Sequence, residues 1–303
     1  MTPSGATDPA TTDAAILDAV PAESDYREVN GVELHVVTAG DPDGPLVVLL
    51  HGFPDFWYGW RPQVPALVEA GYRVLVPDQR GYNLSEKPAG LDAYRMGALS
   101  RDIGALVGSE GRESAHVVGH DWGAAVAWDL ALRRPESVDR LGVVNVPHPT
   151  VMERALKSNP RQLLRSWYMF YFQLPGLPEW FLGRDDAGGV VAVLESTSKP
   201  GAFTETDLAH YRAAWRREGA VGAAIDWYRA LVRRPDAPPR QRVDAPTVVL
   251  WGEDDDALLP EMAPESVRYC EDGTLVRFPN NSHWVHREAV ETVNDHLLDH
   301  LGE

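Results

Sequence analysis

Cysteine is nearly absent from this 303-residue chain. Cys270 stands alone, so no disulfide within the chain and no thiolate metal cluster can form. A cytoplasmic location is the corresponding expectation. Long apolar runs are missing too: no stretch approaches the ~18 residues of a membrane-spanning helix, and no membrane partner is expected. The first 24 residues have neither a basic start nor an apolar core, so no secretory signal is expected there. Rich in Ala, Thr, Asp and Pro, they read as a mobile tail. Positive charge is scarce: 28 Lys and Arg stand against 45 Asp and Glu, a formal net charge of −17. A nucleic-acid partner needs a concentrated basic surface, so none is expected. Only Lys87, Lys157 and Lys199 are lysines. That scarcity has two readings, an Arg-favouring codon composition or a salt-adapted surface on which cations screen excess carboxylates. The imbalance is uneven. Residues 148–242 hold 14 basic and 10 acidic side chains, net +4, which leaves −21 for the remainder.

What is present is enough for a core. Hydrophobic residues make up 44% of the chain, and the length suits one large domain or one domain with an insertion. Short apolar runs at 32–38, 46–50, 73–76, 115–118 and 141–145 read as strands. Amphipathic stretches at 59–70, 93–107 and 122–132 read as helices between them. Such alternation predicts an α/β fold with a mostly parallel sheet and helices on both faces. The alternation stops at Pro149. From there to about Pro235 the pattern is helical and holds 12 of the 27 aromatic residues. Strands at 247–251 and 274–278 and helices at 260–269 and 285–301 resume it. The expected organisation is therefore a core of residues 25–147 and 236–303 with a helical cap, 148–235, inserted between its halves.

Ligands of open α/β sheets bind at the carboxyl ends of the strands. Four strand ends carry reactive residue types. Gly119-His120-Asp121-Trp122-Gly123 has the small-x-nucleophile-x-small pattern of a strand-to-helix elbow, with Asp where Ser is usual. An Asp that merely caps the next helix has the same sequence appearance. His51-Gly52-Phe53-Pro54 follows another strand. In an elbow fold this loop and the residue after the nucleophile supply the two N–H groups of an oxyanion hole, here Phe53 and Trp122. As plain turn chemistry, Gly and Pro account for the loop equally well. Glu253-Asp254-Asp255-Asp256 follows Trp251-Gly252 and offers a carboxylate to orient an imidazole. Spacing alone does not choose among the acids, and no Gly stands where a calcium loop needs one. His283 lies before the last helix, one of ten histidines. Its position in the order Asp121, Asp255, His283, each after a strand, is that of the elbow hydrolases.

With these motifs the chain, from about Tyr26 to Leu301, resembles the epoxide hydrolases of the α/β-hydrolase superfamily. Asp78-Gln79-Arg80-Gly81-Tyr82-Asn83-Leu84-Ser85 and His283-Trp284 extend the match. The resemblance implies Asp121 as nucleophile, Asp255 as the acid (three residues past the Gly of Trp251-Gly252) and His283 as base. Ser282 replaces a frequent Gly, and Tyr82-Asn83 departs from a frequent Gly-x-Gly, with no reacting group changed. Two cap tyrosines of the family point at the epoxide oxygen. Trp167-Tyr168-Met169-Phe170-Tyr171-Phe172-Gln173-Leu174-Pro175-Gly176 and Asp226-Trp227-Tyr228-Arg229 match those segments and imply Tyr168 and Tyr228. Aromatics at helical spacing are commonly core, the reading for Tyr171 and Tyr211.

The implied reaction has Asp121 open an apolar epoxide to a covalent ester, Tyr168 and Tyr228 protonate the oxygen, and His283 with Asp255 activate water to release a vicinal diol. It uses no metal or organic cofactor. The apolar pocket would include Phe53, Trp122, Phe172 and Trp284. The implied partners are substrate and water, on a monomer or homodimer. Haloalkane dehalogenases share the elbow but offer a polar Asn for halide where Phe53 stands. Fluoroacetate dehalogenases place arginines just after the nucleophile, whereas none occurs here before Arg133. A non-catalytic ligand-binding protein would not need Asp121, Asp255 and His283 together.

Overall fold

The computed structural model describes residues 21–302. Its centre is an eight-stranded sheet: β1 (Ala22–Val29), β2 (Val32–Ala39), β3 (Leu46–Leu50), β4 (Arg73–Pro77), β5 (Ala115–His120), β6 (Val138–Val144), β7 (Thr247–Gly252) and β8 (Gly273–Phe278). The order across the sheet is β1-β2-β4-β3-β5-β6-β7-β8. β1, β2 and β4 pair antiparallel, and every pairing from β4 onward is parallel. Every residue of β3 and β7 is buried. Continuous apolar runs such as Leu-Val-Val-Leu-Leu are what a strand covered on both faces requires. The edges differ: β1 and β8 are half exposed and mix polar with apolar residues.

Helices α1 (Val64–Glu69), α2 (Met96–Ser109), α3 (Trp122–Arg133), α10 (Met262–Val267), α11 (Val285–Glu288) and α12 (Val290–Gly302) belong to the sheet-bearing part. Between β6 and β7 lie α4 (Pro149–Ser158), α5 (Pro160–Arg165), α6 (Trp167–Tyr171), α7 (Leu177–Thr197), α8 (Glu205–Trp215) and α9 (Ala220–Arg233). Their starts follow helix-start chemistry. His148 and Asn159 cap α4 and α5 ahead of a first-turn proline, and Thr204 with Asp207 forms a capping box on α8. Inside α7, Asp185, Asp186 and Ala187 all take positive φ and break the helix in two. No helix among the described residues is long and apolar enough to cross a membrane.

Buried side chains bolt the helical block to the core. Trp215 Nε1 donates to the Pro54 carbonyl at 2.9 Å, Trp227 Nε1 to the Arg80 carbonyl at 3.0 Å, and the Tyr211 hydroxyl to Asp55 Oδ1 at 2.7 Å. Asp207 accepts from the Tyr58 hydroxyl at 2.8 Å and pairs with Arg61 and Arg287.

Three expectations needed correction. Of the stretch read as a tail, residues 1–20 lie outside the described residues, but β1 begins at Ala22. Its sequence, Ala-Glu-Ser-Asp-Tyr-Arg-Glu-Val, is too polar to read as a strand, and it forms only because β2 lends a full edge for pairing. The helix expected at 59–70 is a 3-10 turn at Trp57–Trp60 followed by α1. Pro62, with no N–H to give, separates the two. The final helix is divided, α11 ending before Ala289 and α12 starting at Val290.

Candidate active site

β5 ends at His120 and α3 starts at Trp122, so Asp121 alone makes the turn, at φ 50° and ψ −126°. A non-glycine residue rarely adopts positive φ, and holding it there costs about 1–3 kcal/mol. Close packing enforces it. A Cβ on Gly119 would stand 2.4 Å from the Gly123 carbonyl group, and one on Gly123 would stand 2.1 Å from the Leu50 oxygen. Strand and helix therefore approach only because both residues lack a side chain, and the Asp121 carboxylate is turned away from both.

Its surroundings are specific. The Phe53 N–H donates to Asp121 Oδ1 at 2.7 Å. Trp122 N–H is the first of α3, one of the donors a helix start leaves without an intrahelical acceptor. It lies beside the same spot, since a Cβ on Gly52 would meet Asp121 Oδ1 at 2.4 Å and Trp122 N at 2.6 Å. On the other side, His283 Nε2 stands 3.5 Å from Asp121 Oδ2. His283 Nδ1 is 2.7 Å from Asp255 Oδ2. Facing a carboxylate, Nδ1 carries a proton, and Nε2 is directed at Asp121.

Asp255 is fully enclosed and fully bonded. Oδ1 accepts from the N–H groups of Ala257 and Leu258 at 2.8 and 3.0 Å, and Oδ2 accepts from Asn145 Nδ2 at 2.9 Å besides His283. Burial alone would raise its pKa, but the His283 charge and these donors hold it below the usual carboxylate range. Burial likewise opposes charge on Asp121, and the contact with His283 outweighs it, so Asp121 is also depressed. His283 shows the reverse: burial lowers it, yet Asp255 and Asp121 together push it up to about 10. At neutral pH the free site is therefore two carboxylates flanking an imidazolium.

A cavity of about 260 Å³ opens over Asp121 and His283. Tyr168 and Tyr228 come from α6 and α9 to its wall, their rings 5.9 Å apart. Burial, reinforced by the Asp121 carboxylate, raises both phenols well above 10, so they stay protonated. Phe53, Phe172 and Trp284 also line the cavity. The Trp122 ring does not. It lies beneath Tyr228, at 4.9 Å, against Trp227, at 5.5 Å, so of the four aromatics expected at the wall this one serves as support. Tyr171, read as core, belongs to the wall, whereas Tyr211 is buried as expected. His148 is remote from the cavity, capping α4 and stacked on Tyr269 at 4.4 Å.

Sequence reasoning missed Asn145. It ends the β6 run with φ 50°, and its amide grips the acid strand: Nδ2 donates to the Gly252 carbonyl at 3.2 Å and Oδ1 accepts from Gly252 N at 2.8 Å. The available signal was an Asn at a strand's carboxyl end, since Asn tolerates positive φ better than most residues. Arg165, also unforeseen, reaches the wall from α5 and donates to the Asp255 carbonyl at 2.5 Å. Gln162 pins the same loop, donating to the Ala257 carbonyl at 2.8 Å and accepting from Leu259 N at 3.0 Å.

Asp55, His120 and His286 are the described residues whose donor atoms cluster as metal ligands would, all within 4.8 Å of one another. His286 Nε2 and Asp55 Oδ2 are 3.9 Å apart, beyond the about 3.3 Å between ligands of a tetrahedral zinc site. His120 Nε2 meanwhile donates to the His283 carbonyl at 2.9 Å, which ties this buried group to the loop carrying His283.

An elbow with a carboxylate at its tip, a His–Asp pair behind it and backbone donors beside it defines an α/β hydrolase. A family model described as alpha/beta hydrolase fold matches residues 45–290, and the chain belongs to that family. The AB hydrolase superfamily protein YfhM of Bacillus subtilis is 45% identical over 276 residues, 91% of this chain and 96% of its own. Epoxide hydrolase A of Mycobacterium tuberculosis is 32% identical, over 90% of this chain and 95% of its own. The crystal structure of a Bacillus megaterium epoxide hydrolase in complex with an inhibitor superimposes with a TM-score of 0.85 at 32% identity, covering 92% of this chain and 100% of that one.

Proposed function

We propose that this protein is an epoxide hydrolase acting through a covalent ester on Asp121. The observation that carries the reading is the pair of protonated phenols, Tyr168 and Tyr228, set in the same cavity wall as the elbow carboxylate. An epoxide oxygen leaves as an alkoxide and needs a proton, whereas a halide leaves as a stable anion and needs none. The related epoxide hydrolases support the same choice.

In the first step an Asp121 carboxylate oxygen attacks an epoxide carbon, the C–O bond breaks, and Tyr168 and Tyr228 supply the proton to the oxygen. Ester formation removes the Asp121 charge. One of the two carboxylates that lift His283 is then gone, so the imidazolium gives up its proton, which restores the tyrosine that protonated the epoxide oxygen, and the neutral imidazole acts as a base. Held by Asp255, it takes a proton from water, which attacks the ester carbonyl. The oxyanion forms where Phe53 N–H already meets Asp121 Oδ1, with Trp122 N–H as second donor. Collapse breaks the ester C–O bond, His283 passes its proton to the departing oxygen to complete the diol, and the Asp121 acid left behind gives its proton to His283, which restores the carboxylate and the imidazolium of the free site.

The haloalkane reading finds little support. Phe53 packs edge-on against Phe172, Trp215 and Tyr228, so an apolar ring occupies the place of a halide donor. Arg133, the first arginine past the nucleophile, is bound to Asp129 and Asp236, and neither it nor they line the cavity. A panel of aryl and alkyl epoxides and matched haloalkanes, assayed for diol and for halide, tests the proposal. Diol without halide is expected, and halide release alone would overturn it. We further propose that residues 148–235 act as the cap, 25–147 and 236–303 as the catalytic core.

A further inference from the structure

Among the described residues ten large apolar side chains are exposed, and seven of them lie between residues 163 and 180. They occupy α5, α6, the loop after it and the start of α7. Leu164 is 76% exposed, Trp167 64%, Phe170 60% and Trp180 62%. Trp167 and Phe170 stand one turn apart on a single face of α6. The three aromatic side chains alone expose on the order of 400 Å², already the size of the largest apolar patch on a typical soluble monomer.

The charge of this stretch is as unusual as its hydrophobicity. Residues 160–184 contain Arg161, Arg165 and Arg184 against one acid, Glu179; Asp185 and Asp186 follow, Asp186 paired with Arg216, and the surrounding residues 148–242 are net +4 in a chain of net charge −17. Glu179 is paired with Arg229 at 2.6 Å, and Arg161 with Glu261 at 3.2 Å. Among the described residues Arg184 has no carboxylate partner, and it lies over the Trp180 and Phe181 rings at 5.8 and 4.5 Å. Position supplies the last observation. Trp167 belongs both to this patch and to the cavity wall, so the cavity meets the surface within the patch.

We propose that this face of the cap docks on an anionic lipid surface, with the cavity mouth against the bilayer. Exposed tryptophan and phenylalanine beside arginine is the chemistry of an interfacial anchor. The strongly acidic remainder of the chain is repelled by the same lipid, which favours approach by the cap. A second copy seated cap to cap would oppose like charges and cover the mouth. Lipid, by contrast, holds apolar epoxides at high concentration and delivers them through it; this part of the argument rests on the proposed function. The absence of a spanning run, on which no membrane partner was expected, does not bear on a protein that lies on the surface.

The test is co-sedimentation of the full chain with vesicles of phosphatidylcholine alone and of phosphatidylcholine with one third phosphatidylglycerol. Substrate is left out, so the readout is independent of turnover. Binding is expected to the anionic vesicles, roughly tenfold weaker to the neutral ones. The Phe170→Asp/Trp180→Asp variant should lose roughly tenfold in binding while keeping wild-type turnover of a water-soluble epoxide. Leu164→Asp, another surface change, provides an independent variant with the same expected direction. No sedimentation with anionic vesicles would overturn the proposal. So would a wild-type dimer in analytical ultracentrifugation that the double variant converts to monomer, since the face would then serve a second copy. A protein that binds these vesicles yet hydrolyses no epoxide would keep the docking surface and refute the proposed function.

Discussion

Deleting the two phenolic hydroxyls removes the proton source while leaving the cavity wall in place. In Tyr168→Phe and Tyr228→Phe the rings stay, and so do their contacts: Tyr228 with Phe172 at 4.7 Å and Trp122 at 4.9 Å, Tyr168 with Phe172 at 6.1 Å. Folding should therefore be unaffected, and any loss belongs to chemistry. Placing a general acid is worth ~10²–10⁴ in rate, or about 3–5 kcal/mol of barrier. With the rings 5.9 Å apart, either phenol can in part serve for the other. Each single variant should then slow ester formation about tenfold and the double variant by about 10³ or more, a non-additive pattern. Hydrolysis of the ester, the task of His283 and Asp255, should change far less. Single-turnover stopped flow separates the two steps, and the buried Trp122 under Tyr228 provides the fluorescence signal. A double variant that forms ester at the wild-type rate would refute both the assignment of these tyrosines and the preference for epoxides.

Three further outcomes are expected. Asp121 is held below the usual carboxylate range and the phenols above theirs, so ester formation should be flat from roughly pH 5 to 9. Ester hydrolysis should instead rise with pH as His283 loses its proton, at a value below its free-enzyme level of about 10 because Asp121 is then neutral; single-turnover rates measured across pH check both, and an ester step that falls through pH 6–8 would contradict them. Asn145→Ala leaves the buried Gly252 N–H and an Asp255 oxygen each short of a partner and puts Ala at φ 50°, so chemical denaturation should show a loss of about 2–3 kcal/mol. Gly52→Ala places a methyl group 2.4 Å from Asp121 Oδ1, so ester formation, followed by intact-protein mass, should be nearly abolished.

The legible parts of the fold were those in which local chemistry and position coincide. β3, Leu46–Leu50, reads directly because a strand covered on both faces must be a continuous apolar run. The elbow reads directly because only residues without bulky side chains allow the close approach made at Gly119 and Gly123. Asp255 was reached only through resemblance, since four successive acids share one loop; what distinguishes it physically, enclosure and the distant partners Asn145 and His283, is a tertiary property. Tyr171 and Trp122 exchanged their expected places for a related reason. Aromatics at helical spacing say that a helix is amphipathic, not which ring faces substrate and which supports it. β1 escaped notice because its stability lies in the edge offered by β2 rather than in its own polar sequence.

The central claim is a covalent ester on Asp121 whose hydrolysis depends on His283. Replacing His283 with Gln retains a side chain near Asp121 but removes the base, so attack should proceed and hydrolysis should not. Intact-protein mass spectrometry after mixing His283→Gln with an aryl epoxide should show a gain equal to the epoxide's mass, located on the peptide bearing Asp121 and absent from Asp121→Ala. A His283→Gln protein that remains unmodified while turning over at the wild-type rate would contradict the account.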